Sequence, residues 1–217
     1  MKRIGVLRFP GTNCDRDVFN WVQARGYQAQ YLWHLDRFDS KVADGGFEAL
    51  ILPGGFSYGD YLRSGALAAI SPAMSSVREY ANQGGRVLGI CNGFQILCEA
   101  QLLPGALVKN EGRRFIDSWV ELQVSGSKSC FAKEKPKGSR LRLPVAHGDG
   151  RYYASEAQLS ELFQKDQVWL QYLEAPNGSL RNIAGVVNQE GNVAGLMPHP
   201  ERAIQSWMGG MDGWDFI

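Results

Sequence analysis

Apolar residues along the chain fall into short runs separated by amphipathic stretches. Ile4-Gly5-Val6-Leu7-Arg8-Phe9 is a brief apolar run closed by Pro10-Gly11, which predicts a buried strand. Thr12, Asn13 and Asp15 are capping residue types, Val18, Trp21 and Val22 then recur at helical spacing, and Gly26 stops the pattern. Residues 27–33 and 47–52 predict further strands, the second running into Pro53-Gly54-Gly55. Residues 65–85 read as one helical stretch with Pro72 inside it, 86–90 as a strand and 93–105 as a helix. From about Asp117 the character changes. Residues 119–124, 139–145, 168–173, 183–188 and 193–197 are short strand-like runs, with one helical stretch at 155–165.

Alternating strands and helices are the pattern of βαβ units, whose parallel sheet is covered on both faces. The expected fold is therefore α/β: a doubly wound, mostly parallel sheet flanked by helices, with extra antiparallel strands at one edge. No repeat, low-complexity tract or linker interrupts the chain, so one domain over 1–217 is expected. In open sheets of this kind ligands bind beyond the carboxyl ends of the strands, so chemistry is sought at the strand-to-loop junctions.

Composition narrows the classes. Lys+Arg 23 against Asp+Glu 22 leaves a net charge of +1, which gives no electrostatic reason to expect nucleic acid. The first apolar run breaks at Arg8 and Pro10, too early for a secretion signal or a membrane span. Cys14, Cys91, Cys98 and Cys130 form no Cys-x-x-Cys pair, and His34, His147 and His199 are far apart, so no metal site is expected. Thiols without a disulfide framework suit a reduced, cytoplasmic protein.

Three junctions carry candidate chemistry. Gly89-Ile90-Cys91-Asn92-Gly93 lies between a strand and a helix, the thiol form of a nucleophile elbow. A sharp strand-to-helix turn crowds the positions two residues either side of the nucleophile, and glycine relieves the crowding. The helix N-terminus places positive potential beside the sulfur. Alone, a cysteine is more often a small buried hydrophobe. Next, Pro53-Gly54-Gly55 ends a strand with glycines whose backbone N–H groups can face a ligand closely. With the N–H of Asn92 it would form an oxyanion hole, although a plain tight turn has the same sequence. Finally, Met197-Pro198-His199-Pro200-Glu201 places His199 in extended backbone, because Pro200 excludes the α region there. Side chains two apart then share a side, so Glu201 can hold the His199 ring as an orienting carboxylate. The bland reading is a structural histidine beside a helix-start acid.

With these motifs in this order the chain resembles the class I glutamine amidotransferases, Cys-His-Glu enzymes on a doubly wound α/β fold. Five segments narrow the resemblance to the family of glutaminase subunits of phosphoribosylformylglycinamidine (FGAM) synthase. These are residues 10–15 (PGTNCD), 53–63 (PGGFSYGDYLR), 89–95 (GICNGFQ), 144–150 (PVAHGDG) and 197–202 (MPHPER). The resemblance implies Cys91 as nucleophile, His199 as base, Glu201 as its orienting partner, Gly55 and Asn92 as oxyanion-hole donors, and Gln95 and His147 as substrate-binding residues. Asp149 stands where that family usually has Glu, and the family usually continues past Asp212-Gly213 into a longer final helix.

The implied reaction is hydrolysis of glutamine to glutamate and ammonia through a cysteine thioester. Ammonia would pass to a large synthetase subunit that converts formylglycinamide ribonucleotide (FGAR) to FGAM in purine biosynthesis, with a small third subunit in the complex. No cofactor is implied in this chain: ATP and Mg²⁺ belong to the synthetase, and no Gly-x-x-x-x-Gly-Lys-Ser/Thr sequence occurs here. No membrane partner is implied. Rival readings are a stand-alone peptidase or γ-glutamyl hydrolase and a non-catalytic assembly subunit. The apolar tail, with Trp207, Met208, Met211, Trp214 and Phe216, is either partner surface or core closure.

Overall fold

The computed structural model describes residues 2–39 and 46–217. The predicted strands appear as β1 (Arg3–Arg8), β2 (Gln28–Trp33), β3 (Phe47–Leu52) and β4 (Arg86–Ile90). Their helices are α1 (Asp15–Ala24), α2 (Ala66–Ala69), α3 (Pro72–Asn82) and α4 (Asn92–Glu99). The second half adds β5 (Ala106–Val108), β6 (Ile116–Val124), β7 (Arg140–His147), β8 (Arg151–Tyr153), α5 (Glu156–Gln164), β9 (Val168–Tyr172), β10 (Ile183–Val187) and β11 (Val193–Leu196).

Nine strands form one sheet in the order β2-β1-β3-β4-β11-β10-β9-β6-β7. From β2 to β11 every pairing is parallel. From β11 to β7 every pairing is antiparallel, which is the edge extension the sequence predicts. Burial follows the two regimes. β4 and β11 are buried almost end to end, as strands covered on both faces must be. Towards its end β6 alternates buried and exposed positions, as does β7 at its start, so this edge turns one face to the core and one outward. Val18, Trp21 and Val22, the residues predicted at helical spacing, are the wholly buried face of α1.

The 65–85 stretch is two helices rather than one. Pro72 has no N–H to continue a ladder and drives Ser71 to extended backbone (φ −69°, ψ 153°), so α2 ends early and α3 starts with Pro72 in its first turn. The short strands β5 and β8 pair with each other in a separate two-stranded sheet, which the sequence pattern does not reveal. The tail divides. Phe216 is buried against Trp169 and closes the core, whereas Trp207 and Met211 are exposed. Among the described residues no helix is long and apolar enough to cross a membrane.

Candidate active site

Cys91 lies between the end of β4 and the start of α4, with φ 51° and ψ −107°. A non-glycine residue held at positive φ costs on the order of 1–3 kcal/mol and persists where its surroundings fix it. Here the flanking glycines do so. A Cβ on Gly89 would lie 2.6 Å from the Gly93 carbonyl oxygen, and one on Gly93 would lie 1.9 Å from the Leu52 carbonyl oxygen of β3. The turn is therefore as tight as the Gly-x-Cys-x-Gly spacing predicts. The Cys91 N–H donates to the Leu196 carbonyl at 2.8 Å, tying the elbow to the end of β11.

That tie explains how residues distant in sequence meet. β4 and β11 are parallel neighbours, with Gly89 beside Gly195 and Ile90 beside Leu196. The chain leaves β11 through Pro198 and brings His199 back beside the elbow. His199 has φ −106° and ψ 89°, outside the α region as Pro200 requires. The next residues, Pro200–Arg202, turn into a 3-10 turn instead of remaining extended. Glu201 still reaches the ring: His199 Nδ1 and Glu201 Oε1 are 2.7 Å apart, with side chains 2% and 0% exposed. Burial opposes charge on His199, but the Glu201 carboxylate, with the Cys91 and Cys14 sulfurs beside it, holds the imidazole well above the usual histidine range.

Gly54 shows the convergence. A Cβ there would meet His199 Cε1 at 2.8 Å, Cys14 Sγ at 3.1 Å and Cys91 Cβ at 3.3 Å. The catalytic candidates thus pack over a position that must lack a side chain. Gly55 adopts φ 145° and is wedged against residues 11–13 through a bridge between Thr12 and Gly55. Its backbone lines the same cleft as Cys91. The Asn92 N–H belongs to the first turn of α4, where helical N–H groups have no intrahelical acceptor. Its side chain is structural: Oδ1 accepts from the Ser57 N–H at 3.1 Å and Nδ2 donates to Gln95 Oε1 at 2.8 Å.

The cleft beside Cys91 is small, about 110 Å³, and is lined also by Phe56, Asp60, Ser64, Gln95, Phe115, His147 and Asp149. Larger grooves, of about 510 and 650 Å³, lie along β6 and β9 and contain none of the predicted site residues. Gln95, the expected substrate-binding residue, lines the cleft, and its amide braces the wall: Nε2 donates to the Asp149 carbonyl at 2.6 Å. His147 is buried, and Asn110 fixes its ring. The Asn110 amide nitrogen donates to the Arg114 and His147 carbonyls, so its Oδ1 is the acceptor facing His147 Nδ1 at 3.2 Å. Nδ1 therefore carries the proton, and Nε2 is a bare acceptor with no partner. Burial, and the charge of His199 after it, pull His147 down to about 4, so it is neutral at physiological pH.

Sequence reasoning missed four residues here. Asn110 orients His147. Cys14 sits among the triad side chains, accepting from Arg202 Nη2 at 3.2 Å. Arg202 also donates to Asp17 Oδ2 at 3.1 Å. Asp60 lies in the cleft with its carboxyl pushed up to about 6, by burial and then by the nearby Asp149 charge. Cys14 and Asp60 fall inside segments the family resemblance singles out, which is the signal that points to them. Cys14, His199 and Glu201 offer ligand atoms within 4.8 Å of one another, a spacing compatible with a metal ion. The fixed positive charge of Arg202 at the same sulfur opposes a cation there.

A CobB/CobQ-like glutamine amidotransferase domain matches residues 1–212. The chain is also 49% identical to the phosphoribosylformylglycinamidine synthase subunit PurQ of Prochlorococcus marinus, over 97% of this chain and 94% of that protein. The chain belongs to the PurQ family of glutamine amidotransferases. A solved PurLQS structure from Thermotoga maritima contains a chain 43% identical to it, with a TM-score of 0.88, covering 99% of this chain and 94% of that one. A Thermotoga maritima glutamine amidotransferase at 19% identity and TM-score 0.60 covers 93% of this chain and 77% of its own, which extends the shared fold beyond PurQ proteins. The α/β sheet and the glutamine amidotransferase identity expected from the sequence both stand.

Proposed function

We propose that Cys91, His199 and Glu201 perform the glutamine hydrolysis of this glutaminase subunit of FGAM synthase, in one domain spanning 1–217. The observation that carries the assignment is the convergence of Cys91 and His199 on the bare face of Gly54, with Glu201 bonded to the far nitrogen of the ring.

The chemistry follows from the protonation the site favours. His199 holds a proton, and Glu201 fixes its Nδ1, leaving Nε2 free of other partners to face the thiol. Cys91 attacks the side-chain carbonyl carbon of glutamine as a thiolate. The carbonyl oxygen gains negative charge, which the N–H groups of Gly55 and Asn92 stabilise; one such donor contributes about 2.7–4 kcal/mol in hydrolases. The tetrahedral adduct collapses as His199 gives its proton to the departing nitrogen, releasing ammonia and leaving a thioester. A water molecule, deprotonated by the now neutral His199, attacks the thioester. Glutamate leaves, and the proton on His199 restores the starting state. Gln95 and His147 contact the bound glutamine from the cleft wall.

This chain carries no cofactor in that scheme. Ammonia passes to a large synthetase subunit, which uses ATP and Mg²⁺ to convert FGAR to FGAM, with a small third subunit completing a cytoplasmic complex. The PurLQS assembly that holds the 43%-identical chain supports this reading. The test is glutamate release by the assembled synthase supplied with glutamine, FGAR and ATP. Cys91→Ala is expected to abolish release while the complex still forms. Undiminished release by that variant overturns the assignment.

A further inference from the structure

The cleft at Cys91 is polar on one side in a way that amide hydrolysis does not explain. Its lining includes the carboxylates of Asp60 and Asp149 and the ring of His147, and among the described residues it contains no Lys or Arg. Three of its polar atoms are acceptors whose positions are set by the protein. Asp60 Oδ1 is sealed from solvent with no hydrogen-bond partner. His147, 3% exposed, presents Nε2 as a bare acceptor, equally unpartnered, because Asn110 has taken the proton-bearing Nδ1. Asp149 Oδ2 is steadied by the Ser64 hydroxyl at 2.9 Å. Buried acceptors without donors cost free energy, so the site stores a demand for a donor-rich, positively charged group.

Glutamine carries one such group. With its carboxamide at Cys91, its α-nitrogen is four bonds from the reacting carbon and bears three N–H donors and a full positive charge. We infer that Asp60, backed by Asp149, is the specificity-determining residue that receives the α-ammonium of glutamine, with His147 Nε2 accepting a further N–H. The α-carboxylate, which finds no cation among the described lining residues, faces the open mouth of the cleft. The inference rests on Cys91 being the nucleophile, since that fixes which end of glutamine lies deep.

The electrostatics agree. Asp60 ionises reluctantly, because burial and the Asp149 charge both oppose it. The charge of an ammonium placed beside the carboxylate opposes both penalties at once. An analogue that lacks it leaves buried acceptors unpaired, the situation in which binding sites discriminate most strongly.

The test compares glutamine with glutaramate, which keeps the carboxamide and the α-carboxylate but has hydrogen in place of the α-ammonium. Hydrolysis by the assembled synthase is followed for the natural protein and for Asp60→Asn. The natural protein is expected to favour glutamine by about 100-fold or more in kcat/KM. Asp60→Asn is expected to lose at least about 30-fold on glutamine, chiefly through KM, with glutaramate changed by less than about threefold. The rate at which iodoacetamide alkylates Cys91 checks that the variant keeps its fold and triad. A variant that loses both substrates equally, or keeps the natural preference, overturns the assignment. Loss of the Cys91 requirement in the natural protein would instead overturn the catalytic reading beneath it.

Discussion

His199 Nδ1 lies 2.7 Å from Glu201 Oε1, and both side chains are sealed from solvent. The carboxylate is the main group that outweighs burial and keeps the imidazole protonated well above the ordinary range. Glu201→Gln keeps the shape and a hydrogen bond but removes the charge. Each unit of pKa corresponds to about 1.4 kcal/mol of differential stabilisation. The histidine-dependent step in the rate of Cys91 alkylation by iodoacetamide should then move to lower pH than in the natural protein. A pH–rate profile checks this; an unmoved step would mean that Glu201 does not set the charge on His199. The same raised value makes a stability statement. Its contribution is fully present below pH 6.5 and is lost as pH rises through the folded-state value, so Glu201→Gln should destabilise the fold more at pH 6 than at high pH.

The elbow gives a steric prediction. Gly93→Ala places a methyl group 1.9 Å from the Leu52 carbonyl oxygen, which is backbone at the end of a central strand and cannot swing away. The expected loss exceeds about 4 kcal/mol, in the range reserved for severe core disruption. Gly112→Ala is the control, because a Cβ there meets nothing within 4 Å; its effect should stay within about 0.5 kcal/mol. Urea unfolding of the two variants measures the difference.

Much of this site is written locally. Gly89 answers to Gly93 and Leu97 within its own elbow, and His199 meets Glu201 two residues away, so both were legible from spacing; Gly93 answers also to the Leu52 carbonyl of β3, which spacing does not show. The pairing of the two halves was legible more weakly, as two strands that end in chemistry. What could not be read was set at long range. Tyr58, Asp60 and Leu62 all adopt positive φ, a path held in place when the Tyr58 and Phe56 N–H groups bond to the Pro10 and Gly11 carbonyls and Tyr58 Oη meets His34 Nδ1 at 2.6 Å. Where Asp60 points therefore depends on the first strand's loop, not on its own neighbours. Cys14 enters the triad for the same reason, since Gly54 accepts its N–H. The helix across Pro72 failed as a prediction because periodicity outvoted the one residue that forbids continuity.

Asp60 also predicts a cost of readiness for substrate. Its folded-state value, about 6, lies above the 3.8 of an ordinary aspartate. The native state therefore binds the proton more tightly, and stability falls as pH rises from about 4 to 6. Above that window Asp60 is ionised in both states and the penalty is complete. Asp60→Asn removes it. Discounted for solvent screening at a half-buried group, the gain should be about 1 kcal/mol at pH 7, or roughly 2–4 °C in Tm for a chain of this size. At pH 4 the variant should melt with the natural protein. Thermal unfolding at both pH values checks the sign, and a variant less stable at pH 7 would show that the protein itself satisfies the Asp60 carboxylate.

The thiols should separate by environment. Cys98 is on the buried face of α4 and burial pushes its thiol far up; Cys14 is 3% exposed and is also pushed up, mainly by burial. Cys130 is only partly buried but is raised as well, again by burial first. Cys91, 5% exposed, lines the cleft and lies beside the protonated His199, both packing over Gly54. Thiolate, not thiol, is the nucleophile, so access and a neighbouring cation together decide reactivity. One equivalent of iodoacetamide at neutral pH should therefore modify Cys91 at least about tenfold faster than Cys14, Cys98 or Cys130, read by peptide mass spectrometry. Saturating glutamine should slow that reaction without changing the order of the other three. If Cys14 reacted first, the charge His199 carries would be serving the wrong sulfur, and Cys14, not Cys91, would become the candidate nucleophile.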